Sequence, residues 1–134
     1  MKYLIATILT VFFLSPCVSQ GFEQYLYPPE MVIKLGPKIG LTADQERSIK
    51  TTFKETQHQF IDLKWELDRH GEDLKEELAK TRVDPEKSQA LLQKLLTLEN
   101  QIKMLQIGLH VKVKNLLTEE QQIKLDQLRK EMSH

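Results

Sequence analysis

Leu41-Thr42-Ala43-Asp44-Gln45 is the stretch that decides the fold, and Leu117-Thr118-Glu119-Glu120-Gln121 repeats its pattern near the other end of the chain. Each Leu-Thr-x-x-Gln motif predicts a helix start. The Thr hydroxyl at the N-cap accepts a hydrogen bond from the backbone N–H three residues on, and the Gln side chain reaches back to the Thr backbone N–H. The acidic residues of the motifs then lie in the first turn, where the helix dipole favours negative charge.

The leucine in front of each threonine has no apolar partner within its own helix. The residue four positions past the cap, where a hydrophobic staple has its partner, is Glu46 in one copy and Gln122 in the other. We therefore expect the two leucines to lock the ends of short helices onto a long hairpin. The motif residues are interpreted as structural: Leu41, Thr42, Gln45, Leu117, Thr118 and Gln121.

The first 19 residues are typical of a secretory signal peptide. A basic start, Met1-Lys2, precedes an apolar run over residues 3–14 and a small-residue stretch over residues 15–19. The run is shorter than the ~20 residues that span a bilayer. Lipidation of Cys17 is the alternative, but Pro16 directly before it departs from that pattern, so we favour cleavage after Ser19.

The composition predicts one helical domain after cleavage. The remaining chain has no cysteine and hence neither disulfides nor thiolate metal sites. Without Lys2, the chain has 18 basic and 19 acidic residues. This near balance of charge argues against nucleic acid or an anionic membrane as a partner. Few aromatic residues and five glycines favour an all-α fold.

Periodicity predicts the order of the helices. Residues 20–40 form a lead-in, which docks by its aromatic residues or stays mobile, and a short helix from Glu30 to Leu35 that Gly36-Pro37 ends. Residues 41–134 contain a long helix from Thr42 to about Lys80, a second from Pro85 to about Asn115, and a last one to about Met132. Asp84 is the predicted N-cap of the second long helix.

An apolar heptad seam runs along both long helices and predicts an antiparallel, coiled-coil-like hairpin. His70 lies in the seam and is interpreted as a partnered polar residue. Gly108, in mid-helix, is interpreted as allowing a close helix crossing or a bend. The residues predicted to be core are Phe53, Phe60, Leu67, Leu98, Ile102 and Leu105.

The chain has more apolar residues than one hairpin can bury. Ile61 and Trp65 lie off the seam of the first long helix. The second long helix carries another stripe, Leu92, Leu96, Met104, Ile107 and Val111. Large uncovered apolar area is usually an interface, so we predict an elongated homodimer with some surface left for partners.

A signal peptide, a cysteine-free helical chain and paired Leu-Thr-x-x-Gln motifs resemble the Spy/CpxP family of bacterial envelope stress proteins. The resemblance covers roughly Glu30 to Met132. It implies a four-helix protomer, a cradle-like antiparallel dimer and ATP-independent holding or refolding of unfolded proteins in the periplasm. Members also include inhibitors of an envelope sensor kinase and relatives linked to zinc or other heavy metals.

Two surfaces are candidates for contact with unfolded client proteins. Ile61 and Trp65 lie near Lys54, Lys64 and Arg69, so they could combine apolar contact with attraction to acidic segments. The alternative is that they pack on the short first helix or across the dimer. The same two interpretations apply to Ile107 and Val111, which lie beside Lys103, Lys112 and Lys114.

Metal binding and catalysis have weaker support in the sequence. His58 and His110 could face each other across the hairpin with Glu55 or Asp62 beside them, but zinc normally takes four ligands. No Gly-rich phosphate loop and no activated nucleophile is present, so we predict no enzyme and no cofactor. The leading hypothesis is a periplasmic ATP-independent chaperone; the alternative is a regulatory or heavy-metal-sensing protein that modulates an envelope stress sensor.

Overall fold

The computed structural model describes residues 21–134, which form helices joined by short connections, with no strand among them. A short 3₁₀ turn, Glu23–Tyr25, precedes α1 (Pro29–Ile39), α2 (Ala43–Leu78), α3 (Pro85–Leu116) and α4 (Glu119–Met132). The predicted all-α class is confirmed for these residues. The predicted signal peptide, residues 1–19 with Cys17, lies outside the described residues.

The first helix is longer than the sequence predicts. Gly36 and Pro37 predict its end, yet α1 continues through both to Ile39. The residue before a proline normally avoids the helical region because its Cβ meets the proline ring, and Gly36 has no Cβ. The extension places Ile39 in the core, where it is 2% exposed. Gly40 then ends the helix with a left-handed φ of 71°.

The long helices α2 and α3 pack against each other as the predicted antiparallel hairpin. They have 36 and 32 residues, which corresponds to lengths of about 54 and 48 Å. Asp84 is the N-cap of α3, as predicted, and accepts from the backbone N–H groups of Glu86 and Lys87. None of the helices within residues 21–134 has the length and apolarity needed to cross a membrane.

Glu77 holds the turn between the long helices. Its carboxylate is almost fully buried and accepts hydrogen bonds from Lys80 Nζ at 2.7 Å and from the backbone N–H of Asp84 at 3.2 Å. Lys87 Nζ lies 3.0 Å from the same carboxylate. These hydrogen bonds lower the pKa of Glu77 to about 2. The turn is therefore fixed by a buried charge that is fully partnered.

The core lies at one end of the hairpin, where all four helices meet. We call this end the base. Short α1 and α4 contact each other there, and α1 also contacts α2. The buried core side chains are Tyr27, Val32, Leu35, Ile39, Ile49, Leu109, Val113, Leu117 and Leu125.

Beyond the base only two helices cover the seam. Of the six predicted core residues, Phe60 and Leu98 are buried, whereas Leu67, Ile102 and Leu105 are half-buried. Phe53 is also half-buried, but it packs against the core cluster at the base. His70 is buried, and the prediction that it is partnered is confirmed for one nitrogen only: Nδ1 lies 3.2 Å from Asp73 Oδ2, whereas Nε2 is buried without a hydrogen-bond partner among residues 21–134. The close-crossing interpretation of Gly108 is wrong, because a Cβ added there would meet nothing within 4 Å.

The lead-in docks on the base through one of its three aromatic residues, Tyr27, whereas Phe22 and Tyr25 are exposed. Tyr27 is 3% exposed, its hydroxyl donates to Asp126 Oδ1 at 2.9 Å, and its ring lies under Lys114 Nζ and the Arg129 guanidinium. Burial and the hydrogen bond to Asp126 raise the pKa of Tyr27 to about 12. Arg129 also donates to the carbonyl oxygens of Glu23, Gln24 and Leu26.

Candidate functional site

Both Leu-Thr-x-x-Gln motifs form the predicted capping boxes. The Thr42 hydroxyl accepts from Gln45 N–H at 3.1 Å, and Gln45 Oε1 accepts from Thr42 N–H at 3.0 Å. The second motif repeats the arrangement, with the Thr118 hydroxyl accepting from Gln121 N–H at 3.2 Å. Each motif therefore begins a helix, α2 or α4, by the same local chemistry.

The two motifs also bind each other. Gln45 Nε2 donates to Gln121 Oε1 at 2.8 Å, and Gln121 Nε2 donates back to Gln45 Oε1 at 2.9 Å. The remaining amide proton of Gln45 goes to the Leu116 carbonyl at 2.8 Å, and that of Gln121 goes to the Gly40 carbonyl at 3.1 Å. In each case the acceptor is the residue just before the leucine of the other motif. We call this arrangement the glutamine clasp.

The glutamine clasp uses the full hydrogen-bonding capacity of both side-chain amides, two donors and two acceptors each. Leu117 is buried in the core cluster and Leu41 packs against it, as predicted for residues that lock the short helices in place. The sequence pattern predicted both caps but not their contact, because each box looks locally complete. A saturated, partly buried amide pair has no groups left for a partner, so the clasp has a structural role.

Ile61 and Trp65 lie on the outward face of α2. Trp65 follows the buried Phe60 by five residues, about 140° further round the helix. Its side chain is 73% exposed, and that of Ile61 is 47% exposed. In the described chain they therefore pack neither on α1 nor in the core. Trp65 forms part of the wall of a shallow depression of about 460 Å³. The other residues that line it are Glu66, Asp68, Arg69 and Glu72. We call the lining residues together with Ile61 the Trp65 surface.

The charged residues predicted around Trp65 are all basic, whereas the structure also places the carboxylates of Glu66, Asp68 and Glu72 beside it. Lys64, predicted to attract clients, donates to Asp68 at 2.7 Å on its own helix. Lys75 similarly donates to Glu72 at 2.6 Å. Arg69 is exposed and lines the depression. Helical spacing of three and four residues from Trp65 and Arg69 would have revealed these carboxylates in the sequence.

The outward face of α3 carries a second apolar surface. Met104 is 75% exposed and Val111 is 42% exposed, while Ile107 between them is half-buried. We call these three residues the α3 surface. Nearer the hairpin turn, Leu92 and Leu96 line another open depression with polar neighbours. The predicted client residues thus lie on two different helices, those around Trp65 on α2 and Ile107 with Val111 on α3.

The two histidines of the predicted metal pair differ in environment. His58 is exposed on α2, whereas His110 is half-buried on α3. Burial lowers the pKa of His110, and the carboxylates of Glu30 and Glu23 partly oppose this effect. Within residues 21–134, no three His, Cys, Asp or Glu side chains come together in a way that could hold a metal ion. Glu55 and Asp62 therefore do not complete a site with this pair.

Comparison with protein-family models, curated proteins and solved structures found no match to this chain.

Proposed function

We propose that this chain is an ATP-independent chaperone of the bacterial periplasm that acts as a dimer and holds unfolding envelope proteins. The observation that carries the proposal is the exposure of large apolar side chains on the outward faces of both long helices. Trp65 and Met104 are 73% and 75% exposed, and both lie outside the core cluster at the base. The paired Leu-Thr-x-x-Gln motifs of the sequence agree with this class of protein.

The form of these surfaces suits weak and reversible holding. Open depressions along a helix contact a client from one side only, so each side chain buries little area, at about 25 cal/mol per Å². Lysine and arginine side chains between the apolar residues contribute aliphatic contact while their charged ends stay in water. A client held in this way dissociates without a nucleotide cycle.

The first test is aggregation of a denatured client protein with and without the chain, in the absence of ATP. We expect suppression by the unmodified chain and weaker suppression by the double variant Ile61→Ala/Trp65→Ala. Because both side chains are exposed, the free energy of unfolding should change by no more than about 0.5 kcal/mol. Circular dichroism and thermal unfolding check this condition.

Ile123→Ala is the matched control, because Ile123 is a 51% exposed apolar residue on α4 and not on the hairpin. It should leave suppression unchanged. Absence of suppression by the unmodified chain would refute the chaperone proposal. Loss of dimerisation in the double variant would instead assign Ile61 and Trp65 to the dimer interface. Capture of the chain by an envelope sensor domain without any suppression would favour the regulatory alternative.

A further inference from the structure

The charge around the Trp65 surface is negative. Between Ile61 and Glu76 the chain has six carboxylates and three basic side chains, Lys64, Arg69 and Lys75, which leaves a net charge of 3 − 6 = −3 with His70 neutral. The ion pairs of Lys64 with Asp68 and of Lys75 with Glu72 each cancel one positive and one negative charge. Arg69 then remains against four carboxylates, those of Asp62, Glu66, Asp73 and Glu76. Glu66 forms no ion pair within residues 21–134 and lines the depression.

The α3 surface lies in a segment of opposite charge. Residues 100–118 contain no Asp or Glu and three lysines, Lys103, Lys112 and Lys114, so the segment has a net charge of +3 with His110 neutral. The apolar surfaces of α2 and α3 are therefore distinguished by the sign of the charge around them and not by their hydrophobicity.

We propose that the Trp65 surface binds unfolded segments in which apolar residues alternate with lysine or arginine. This inference rests on the proposed chaperone function and names the class of client segment for one of its surfaces. It reverses the preference for acidic segments that Lys54, Lys64 and Arg69 predict from the sequence alone.

Three features of the Trp65 surface favour a segment that is both cationic and apolar. The ring of Trp65 is 73% exposed, and an indole face is the best aromatic partner for a lysine or arginine side chain. Glu66 borders the same depression and forms no ion pair among the described residues, so it can accept charge-assisted hydrogen bonds from such side chains. Asp68 and Glu72 also border it, and each pairs with a lysine through one oxygen and has a second oxygen that can accept. Ile61 and Trp65 then contact the apolar residues of the segment.

Trp65 reports its own occupancy, because it is the only tryptophan of the chain. The full chain is titrated with two unstructured peptides of identical apolar sequence, free of tryptophan and tyrosine, one with lysine and the other with glutamate at the alternate positions. We expect the lysine peptide to change Trp65 fluorescence and to bind about tenfold more tightly at low salt. This ratio should fall in 0.5 M salt, where the screening length is roughly 4 Å.

A charge reversal tests the carboxylates directly. Glu66→Lys/Glu72→Lys should bring the ratio of the two affinities to one or below, with helicity retained because both positions are exposed. Glu131→Lys is the control, since Glu131 is exposed in the last turn of α4. It should leave the ratio unchanged.

Equal or tighter binding of the glutamate peptide by the unmodified chain would overturn the inference. So would a fluorescence shift that depends on protein concentration without any peptide, because a second copy of the chain would then cover Trp65. If the lysine preference is absent while aggregation is still suppressed, this inference fails and the chaperone proposal stands. If suppression is absent but the peptide preference is present, the chaperone proposal fails and the Trp65 surface remains a cationic-peptide site.

Discussion

Leu41 packs directly on Gly36, where an added Cβ would lie 3.2 Å from the leucine Cδ2. The Leu41 backbone N–H donates to the Gly36 carbonyl at 3.0 Å, and Gly40 between them has the positive φ that this helix ending requires. Glycine therefore serves two different purposes within five residues. Gly36 leaves room for a side chain, and Gly40 provides a backbone conformation.

Glycine-to-alanine substitutions should change stability in opposite directions at different positions. Gly40→Ala should destabilise the fold by about 1 kcal/mol, because alanine is strained at positive φ. Gly108→Ala should stabilise it by about 0.5–1 kcal/mol, since the position is helical and nothing lies within 4 Å of the added Cβ. Thermal and urea unfolding measure both changes. If Gly108→Ala instead lowered the free energy of unfolding, the stabilising effect expected from helix propensity would be contradicted. Glycine would then be required at this position for a reason other than steric room for a Cβ.

Glu77 should make the stability of the hairpin turn dependent on acid pH. Its pKa is about 2 in the folded chain, below the ordinary value of 4.5. The ion pairs of the carboxylate therefore stabilise the fold fully above about pH 4.5, and this contribution is lost as the pH falls towards 2. We expect Glu77→Gln to lower the melting temperature at pH 7 and to approach the unmodified chain as the pH falls through this range.

The control for Glu77 is its exposed neighbour. Glu76→Gln should change the melting temperature little at any pH, because Glu76 is exposed and forms no ion pair among the described residues. A difference between Glu77→Gln and the unmodified chain that stays constant from pH 7 to pH 2 would contradict the assignment of the ion pairs as its source.

At the scale of the elements, the glutamine clasp joins the starts of two helices that are 76 residues apart in the sequence. Its symmetry arises because each motif provides both the amide that reaches across and the carbonyl that accepts, the latter in the residue before its leucine. The repeat of the motif thus has a physical reason. The side-chain amides of two identical capping boxes can donate to and accept from each other. A single capping box would leave the NH₂ group of its glutamine without these partners.

The two glutamines should be energetically coupled. Gln45→Ala and Gln121→Ala should each destabilise the fold by about 1–3 kcal/mol, since the partner amide loses its hydrogen bonds in a partly buried site. The double variant should lose less than the sum, with a coupling energy of about 1 kcal/mol. Urea unfolding of the four chains measures the cycle. Gln59→Ala with Gln127→Ala, both exposed, is the control cycle and should show additive effects.

At the scale of the whole molecule, stability is concentrated at the base. Four helices surround the core there, whereas the hairpin beyond it consists of two helices. Their seam has both buried residues, such as Phe60 and Leu98, and half-buried ones, and their outward faces carry exposed apolar side chains. Local opening is least costly where few apolar contacts are buried. The arrangement leaves the surfaces proposed for clients on the less constrained part of the molecule.

Amide hydrogen exchange should follow this gradient. We expect the slowest exchange around Ile49, Leu109 and Val113, which are fully buried at the base, and faster exchange in α2 and α3 towards the turn. Mass spectrometry of peptide fragments measures the profile at low and high protein concentration. Strong protection near the turn that increases with concentration would show that a second copy covers the distal hairpin.

The sequence by itself determined the class of the fold, the order of the helices and their starting points, because capping boxes, the Asp84-Pro85 start and the heptad seam depend on neighbours within a few residues. It did not predict the continuation of α1 through Pro37, since burial of Ile39 by the other helices favours that extension. Only the tertiary structure decided that Gln45 meets Gln121, that Tyr27 docks the lead-in on α4, and that Trp65 is exposed on α2 instead of packing on α1. Each of these depends on which faces the folded elements present to one another, and a local pattern of residues does not contain that information.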